Sequence, residues 1–153
     1  LQPGQSLALP AGNIHAYLSG LGVEVMAASD NVMRGGLTQK HIDVDELESV
    51  VDFDSRGIKL VEQREIASGL IEFAIPFEEF VLYRIEPSGD RLHADLQISG
   101  DAIAVCIGGE VAISNSQDKR EVLTRGEAAF IGNSARLLSF SGAGTVYLAV
   151  GRD

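Results

Sequence analysis

His15 opens a short apolar-polar run, His15-Ala16-Tyr17-Leu18, directly behind the turn cluster Pro10-Ala11-Gly12-Asn13. An imidazole placed by a tight turn at the start of a strand can serve as a metal ligand. On residue type alone, a lone histidine there is more often an ordinary strand residue. Glu24 lies on the return run Val23–Ala27, on the face opposite Val23 and Val25. A carboxylate facing inward needs a partner or a metal shell. Asp30, Asn31, Arg34 and Lys40 crowd one polar, glycine-containing loop between Ser29 and Lys40. Arg34 and Lys40 are the local cations an anionic ligand would require. Read alone, Arg34 is a solvated loop arginine, Asp30 a loop cap through backbone hydrogen bonds, and Tyr17 a barrel-lining aromatic.

The elements that must hold these groups are mostly strands. Ser6–Leu9, His15–Leu18 and Val23–Ala27 alternate as strands do, joined by Pro10–Asn13 and by Ser19-Gly20-Leu21-Gly22. Asp43–Val51 is the one good helix signal, with Asp43 as N-cap and Val44, Leu47, Val50 and Val51 as its apolar stripe. Asp54-Ser55-Arg56-Gly57 reads as a linker. From about Ile58 the chain reads as strand after strand: Phe80–Ile85, Leu92–Ser99, Ala102–Ile107, Glu110–Ser114, Glu121–Thr124, Ala128–Ile131, Ala135–Ser141 and Thr145–Val150. Short, even spacing of this kind predicts an all-β sandwich or barrel.

An internal repeat joins the two ends. Shifted by 122 positions, Pro3–Ala28 lies on Arg125–Val150 without a gap. Gly4 meets Gly126, Leu9 meets Ile131 and Leu18 meets Phe140; Ser19, Gly20 and Gly22 meet Ser141, Gly142 and Gly144. One strand–turn–strand–turn–strand unit is thus used twice. The second copy has lost the candidate chemistry, since Leu137 stands where His15 stands and Gly132 where Pro10 stands.

Composition narrows the function classes. The 153 residues carry 22 acidic and 12 basic side chains, a net charge of −10, and no basic cluster. That argues against nucleic acid and anionic membrane surfaces as partners. Hydrophobic residues make up 45%, enough for a core, with no run of membrane-spanning length. The single cysteine, Cys106, sits in the apolar run AIAVCIG and reads as a buried, inert thiol that fits a reducing, cytoplasmic setting. Leu1 is not methionine, and the first residues read as a loop entering a strand. We therefore expect a piece of a longer protein.

Gly4-x5-Pro10-x-Gly12-x2-His15 resembles the second sequence motif of the cupins, jelly-roll barrels with an internal metal; Ser19 stands where that motif ends in asparagine. The longer stretch His15-Ala16-Tyr17-Leu18-Ser19-Gly20, then Glu24–Val32 with Arg34, Gly36-Leu37-Thr38, Lys40 and Asp43-Val44-x-x-Leu47, resembles the type I phosphomannose isomerases. The likeness covers about residues 3–53. Gln39 departs from it, standing where the family commonly has proline. The β-rich remainder agrees in type and carries no diagnostic motif.

The resemblance implies a mainly β fold: a cupin-like jelly-roll barrel or sandwich, preceded by terminal strands of a second cupin barrel and one short helix. It divides the chain into residues 1–40, the end of a catalytic cupin domain; 41–57, helix and linker; and 58–153, a cupin-like domain without a metal site. It implies zinc, one ion per full-length protein, with His15 as ligand and the remaining ligands upstream of Leu1. It assigns Arg34 a catalytic role and places Tyr17, Glu24, Asp30 and Lys40 around the substrate. The implied reaction interconverts mannose 6-phosphate and fructose 6-phosphate, with the chain inactive by itself and prone to self-association through severed strands. The competing expectation is a non-catalytic cupin-like module that binds a sugar or a partner, or senses a sugar.

Overall fold

The computed structural model describes residues 1–28, 32–54, 57, 59–89, 95–117 and 119–152. Asp30 and Asn31 lie outside them. The chain forms two compact units, Leu1–Leu60 and Val61–Asp153.

The second unit is one antiparallel sheet. Its strands are β1 (Gln63–Ala67), β2 (Leu70–Phe73), β3 (Phe80–Ile85), β4 (Ser88–Gly89), β5 (Leu96–Gln97), β6 (Ala102–Asn115), β7 (Arg120–Thr124), β8 (Ala128–Ile131) and β9 (Leu137–Gly151). The path runs β1-β2-β3-β9-β6-β7, with β4 and β5 added to β9 and β8 to β6. Strands β6 and β9 pair with each other along nearly their whole lengths. Their outer edges change partner midway. β6 takes β8 along residues 102–105 and β7 along 110–114. β9 takes β5 and β4 early and β3 late.

Glycines make that change possible. A bulge between Cys106 and Gly108 inserts an extra residue into β6. The inward set accordingly switches parity, from Ala102, Ala104 and Cys106 to Val111 and Ile113. Gly109 and Gly142 both take positive φ, 65° and 115°. A Cβ on Gly109 would collide with the Ala143 carbonyl oxygen, and one on Gly142 would lie 2.5 Å from the Glu110 oxygen. The sheet therefore folds over on itself at the crossing of its two long strands. Both halves of each strand close on a single core that includes Ile85, Cys106, Val111, Leu138, Phe140, Val146 and Leu148. This is the jelly-roll barrel that the strand spacing and the family resemblance led us to expect. Cys106 is fully buried within it.

The glycines left between expected strands, Gly108-Gly109 and Gly142 with Gly144, are thus bends inside continuous strands. A bulge and a turn have the same local composition, and only the pairing on either side separates them. β1 and β2 were not among the expected strands. They are joined at Gly69, with φ 71°, and the charges of Arg64, Glu65 and Glu72 obscure their alternation.

In the first unit, α1 spans Val44–Val50 and is capped as expected, the Asp43 carboxylate accepting from the Glu46 N–H at 3.1 Å. Its stripe is only half covered: Leu47 and Val51 are partly buried, while Val44 and Val50 are exposed. Residues 6–9, 15–18 and 23–27, expected as strands, carry no ladder; a single bridge, Leu7 to Leu60, is the pairing assigned among the described residues. A strand needs a hydrogen-bonded neighbour, and beyond that bridge no described segment of this unit pairs with these. The alternation survives without it, Val23 and Val25 being partly buried and Glu24 and Met26 exposed.

The repeat is visible in the backbone. Gln5 N–H donates to the Gln2 carbonyl at 3.0 Å, and 122 residues on Glu127 N–H donates to the Thr124 carbonyl at 3.0 Å. In return the Gln5 side chain accepts from the Gln2 N–H at 2.8 Å, and the Glu127 carboxylate from the Thr124 N–H at 2.7 Å. The next turn repeats as well: Asn13 N–H to the Pro10 carbonyl at 3.3 Å, Ala135 N–H to the Gly132 carbonyl at 3.0 Å.

Candidate functional site

The turn Pro10–Asn13 sets His15 in place, and α1 braces the turn. Gly12 has φ 79°, and its carbonyl accepts from the Asp52 N–H at 2.9 Å, just beyond the helix. A Cβ on Gly12 would sit 2.9 Å from the Val50 oxygen, so only glycine allows the helix end this close. The His15 Nδ1–H donates to the Asn13 carbonyl at 3.2 Å. A carbonyl only accepts, so this bond puts the proton on Nδ1 and leaves the Nε2 lone pair free. Metal-binding histidines are oriented by this kind of second bond.

Tyr17 follows on the same side. Its ring meets the His15 imidazole edge to face, centroids 5.7 Å apart and planes at 82°. Interaction of its hydroxyl with the Glu24 carboxylate, followed by burial and the Glu24 charge, raises the phenol above its ordinary pKa. His15, Tyr17 and Glu24 therefore form one contiguous exposed row.

Arg34 is brought near by packing that sequence reasoning missed. Gly35 lies so close over Ile14 that a Cβ on it would stand 2.5 Å from Ile14 Cδ1, with Leu47 of α1 at 4.0 Å. Ile14 precedes His15 and Gly35 follows Arg34, so this contact joins the two segments that carry them. The adjacent glycines Gly35-Gly36 were the available signal. Arg34 and Lys40 are exposed, and among the described residues no hydrogen bond or ion pair ties either to the row. The Lys40 N–H is held by the Thr38 hydroxyl at 3.2 Å. Asp30 lies outside the described residues.

The donor chemistry of His15 fits a zinc ligand. It fits one ligand of a set: among the described residues no group of three His, Cys, Asp or Glu could hold a metal ion. In the second unit Leu137 pairs with Gln97, beside an open depression of about 480 Å³ lined by Gln97, Ile98, Ser99 and Arg136. No described helix is long and apolar enough to cross a membrane.

No family model matches the chain. It is 38% identical over 152 residues to a mannose-6-phosphate isomerase of Salmonella typhimurium, covering 94% of this chain and 36% of that protein. It is 34% identical over 145 residues to the mannose-6-phosphate isomerase of Escherichia coli, with the same coverage. Among solved structures it resembles a phosphomannose isomerase mutant from Salmonella typhimurium, with TM-score 0.69 and 29% identity over 83% of this chain and 33% of the other. The chain thus spans about a third of the length of these relatives. By sequence and by structure, it is a homologue of the mannose-6-phosphate isomerases.

Proposed function

We propose that this chain supplies part of the active site of a zinc-dependent mannose-6-phosphate isomerase, completed by polypeptide outside residues 1–153. The observation that carries the reading is the row His15–Tyr17–Glu24, with Gly35, next to Arg34, packed on Ile14, next to His15, in a chain homologous to these isomerases over 94% of its length. The substrate is a phosphorylated sugar, and the single buried thiol suits a reducing cytoplasm.

Aldose–ketose isomerisation moves a proton between adjacent carbons through an enediolate. Zinc, when bound, supplies a Lewis acid that polarises and orients the sugar oxygens. His15 would hold it through Nε2. Arg34 stays charged at neutral pH and either stabilises the developing oxyanion or holds the phosphate. Lys40 is a second phosphate contact. Tyr17, Glu24 and Asp30 line the pocket. Solved structures of the Salmonella typhimurium enzyme include one with a glutamate replaced by alanine and one with an arginine replaced by alanine ten positions further on. Glu24 and Arg34 have the same separation, which supports placing both at the site.

Calorimetric zinc titration of the 153-residue chain tests the partial-site reading. Weak or absent binding is expected, because a zinc site needs about three or four protein ligands. Tight, stoichiometric binding by a monomer would contradict it. Exposed Leu18 and Leu37 in the first unit also favour self-association of the isolated chain, which sedimentation measures in the same samples.

A further inference from the structure

We infer that the outer face of the second unit at β6 and β8 is an internal docking surface, which seats an uncharged, extended segment of the same protein's polypeptide outside residues 1–153. This rests on the reading of the chain as part of a larger isomerase. One row of side chains crosses the sheet on the face away from the core. By register Phe73 lies beside Leu82, Leu82 beside Ala149, Ala149 beside Ile103 and Ile103 beside Phe130. All are apolar, and none belongs to the core cluster. The row is covered at one end and bare at the other: Phe73 and Leu82 are 2% and 7% exposed, Ile103 and Phe130 58% and 71%. A contiguous apolar face left open in this way marks a contact surface.

The strand edge beside it is open too. Among the described residues β8 pairs with β6 alone. The ladder shows which groups this leaves free. Cys106 N–H donates to the Glu127 carbonyl at 2.9 Å, so these two form a hydrogen-bonded pair. Antiparallel pairs alternate between bonded and unbonded, so by register Ala104–Ala129 and Ala102–Ile131 are bonded pairs. The N–H and C=O of Ala128 and Phe130 therefore point away from β6. The opposite side of β6 agrees: Gly151 N–H donates to the Asp101 carbonyl at 2.8 Å, so the odd-numbered residues of this stretch turn to β9 and the even-numbered ones to β8. Of the devices that blunt an edge strand, β8 has brevity alone, since Ala128–Ile131 holds no charge, proline or bulge.

The size of the surface selects its occupant. Two exposed side chains and a short edge offer roughly a few hundred Å², well below the roughly 1,000 Å² that holds separate chains together. A tethered segment needs less, because linkage gives it an effective concentration in the millimolar range. The relatives carry additional polypeptide, since this chain covers 36% of the Salmonella typhimurium protein.

Amide hydrogen exchange tests this in the 153-residue chain and in a chimera where that chain replaces the matching third of the Salmonella typhimurium enzyme. In the isolated chain the Ala129 and Ile131 amides should be protected, while those of Ala128 and Phe130 exchange at close to the unstructured rate. In the chimera Ala128 and Phe130 should gain about tenfold protection or more, the effect of a hydrogen bond newly made. Phe130→Lys should lower the Tm of the chimera and leave that of the isolated chain within about 2 °C. Ala128 and Phe130 already protected in a chain that sediments as a monomer would mean an edge closed from within. Protection that appears only as the chain dimerises would put a second copy there. Either result overturns the proposal, as does a folded chimera with no gain in protection or one that Phe130→Lys does not destabilise. A chimera that fails to fold also counts against it, because polypeptide from a 38% identical relative should fit this surface. A folded chimera that gains the protection but does not isomerise the sugar phosphate counts against the functional reading alone.

Discussion

Gly4 and Gly126 stand 122 residues apart and adopt the same left-handed backbone, φ 84° and 92°. Gly20 and Gly142 match in the same way, at 111° and 115°. The two ends of the chain share their turn geometry, with a histidine after the second turn in one copy and a leucine in the other.

The glycines of the second copy divide into two energetic classes. Gly126 has open space where a Cβ would go; Gly142 has the Glu110 oxygen. Gly126→Ala should therefore cost only the left-handed strain, about 1 kcal/mol. Gly142→Ala adds a collision at the strand crossing and should cost about 3 kcal/mol or more. Urea unfolding of both variants measures the difference, and equal losses would contradict the bend described for β6 and β9.

Leu18 and Phe140 share a repeat position with opposite surroundings, 92% and 1% exposed. Phe140→Ala should destabilise the second unit by about 3–5 kcal/mol. Leu18→Ala should shift the stability of the isolated chain by no more than about 0.5 kcal/mol. Thermal unfolding reads both.

Glu127 gives the second copy a pH dependence that the first lacks. Its carboxylate accepts from the Thr124 N–H and from the Thr124 hydroxyl at 3.0 Å, which holds it below the usual glutamate pKa. A depressed folded-state pKa contributes stability above the ordinary value, lost as pH falls through the folded one. Glu127→Gln should therefore lower Tm at about pH 7, and the gap should close below about pH 4. Gln5, in the equivalent place, already makes the backbone bond with a neutral amide. A gap independent of pH would show that the carboxylate charge is not the stabilising element.

Gly12 links the helix to the candidate site. Gly12→Ala would press on the Val50 oxygen and oppose a positive φ. The expected outcome is a displaced turn and a shift of the His15 imidazole resonances in two-dimensional NMR, with β-barrel resonances unmoved. Unmoved His15 resonances would mean that α1 does not brace the turn.

The sequence carried the barrel because its signals are local. Ala128–Ile131 and Phe80–Ile85 alternate and end at turn residues, and both strands have those bounds. It missed what depends on distant backbone. Nothing local distinguishes Gly108-Gly109 as a bulge from the same pair as a turn, and the charged β1 hides its period. At the candidate site, the turn before His15 was legible in Pro10–Asn13, whereas Glu24, expected to face inward, is exposed while Val23 and Val25 are partly buried. The proximity of Gly35 to Ile14, which brings Arg34 alongside, is a packing contact with no sequence period to announce it.

The central claim is that His15 is one ligand of a zinc site completed by polypeptide outside this chain. Zinc content and isomerase activity of a chimera in which this chain replaces the matching third of the Salmonella typhimurium enzyme, with His15 and with His15→Ala, test it most directly. About one tightly held zinc per chain and measurable isomerisation are expected with His15, and loss of both with His15→Ala. Stoichiometric zinc and undiminished activity in the His15→Ala chimera would contradict it.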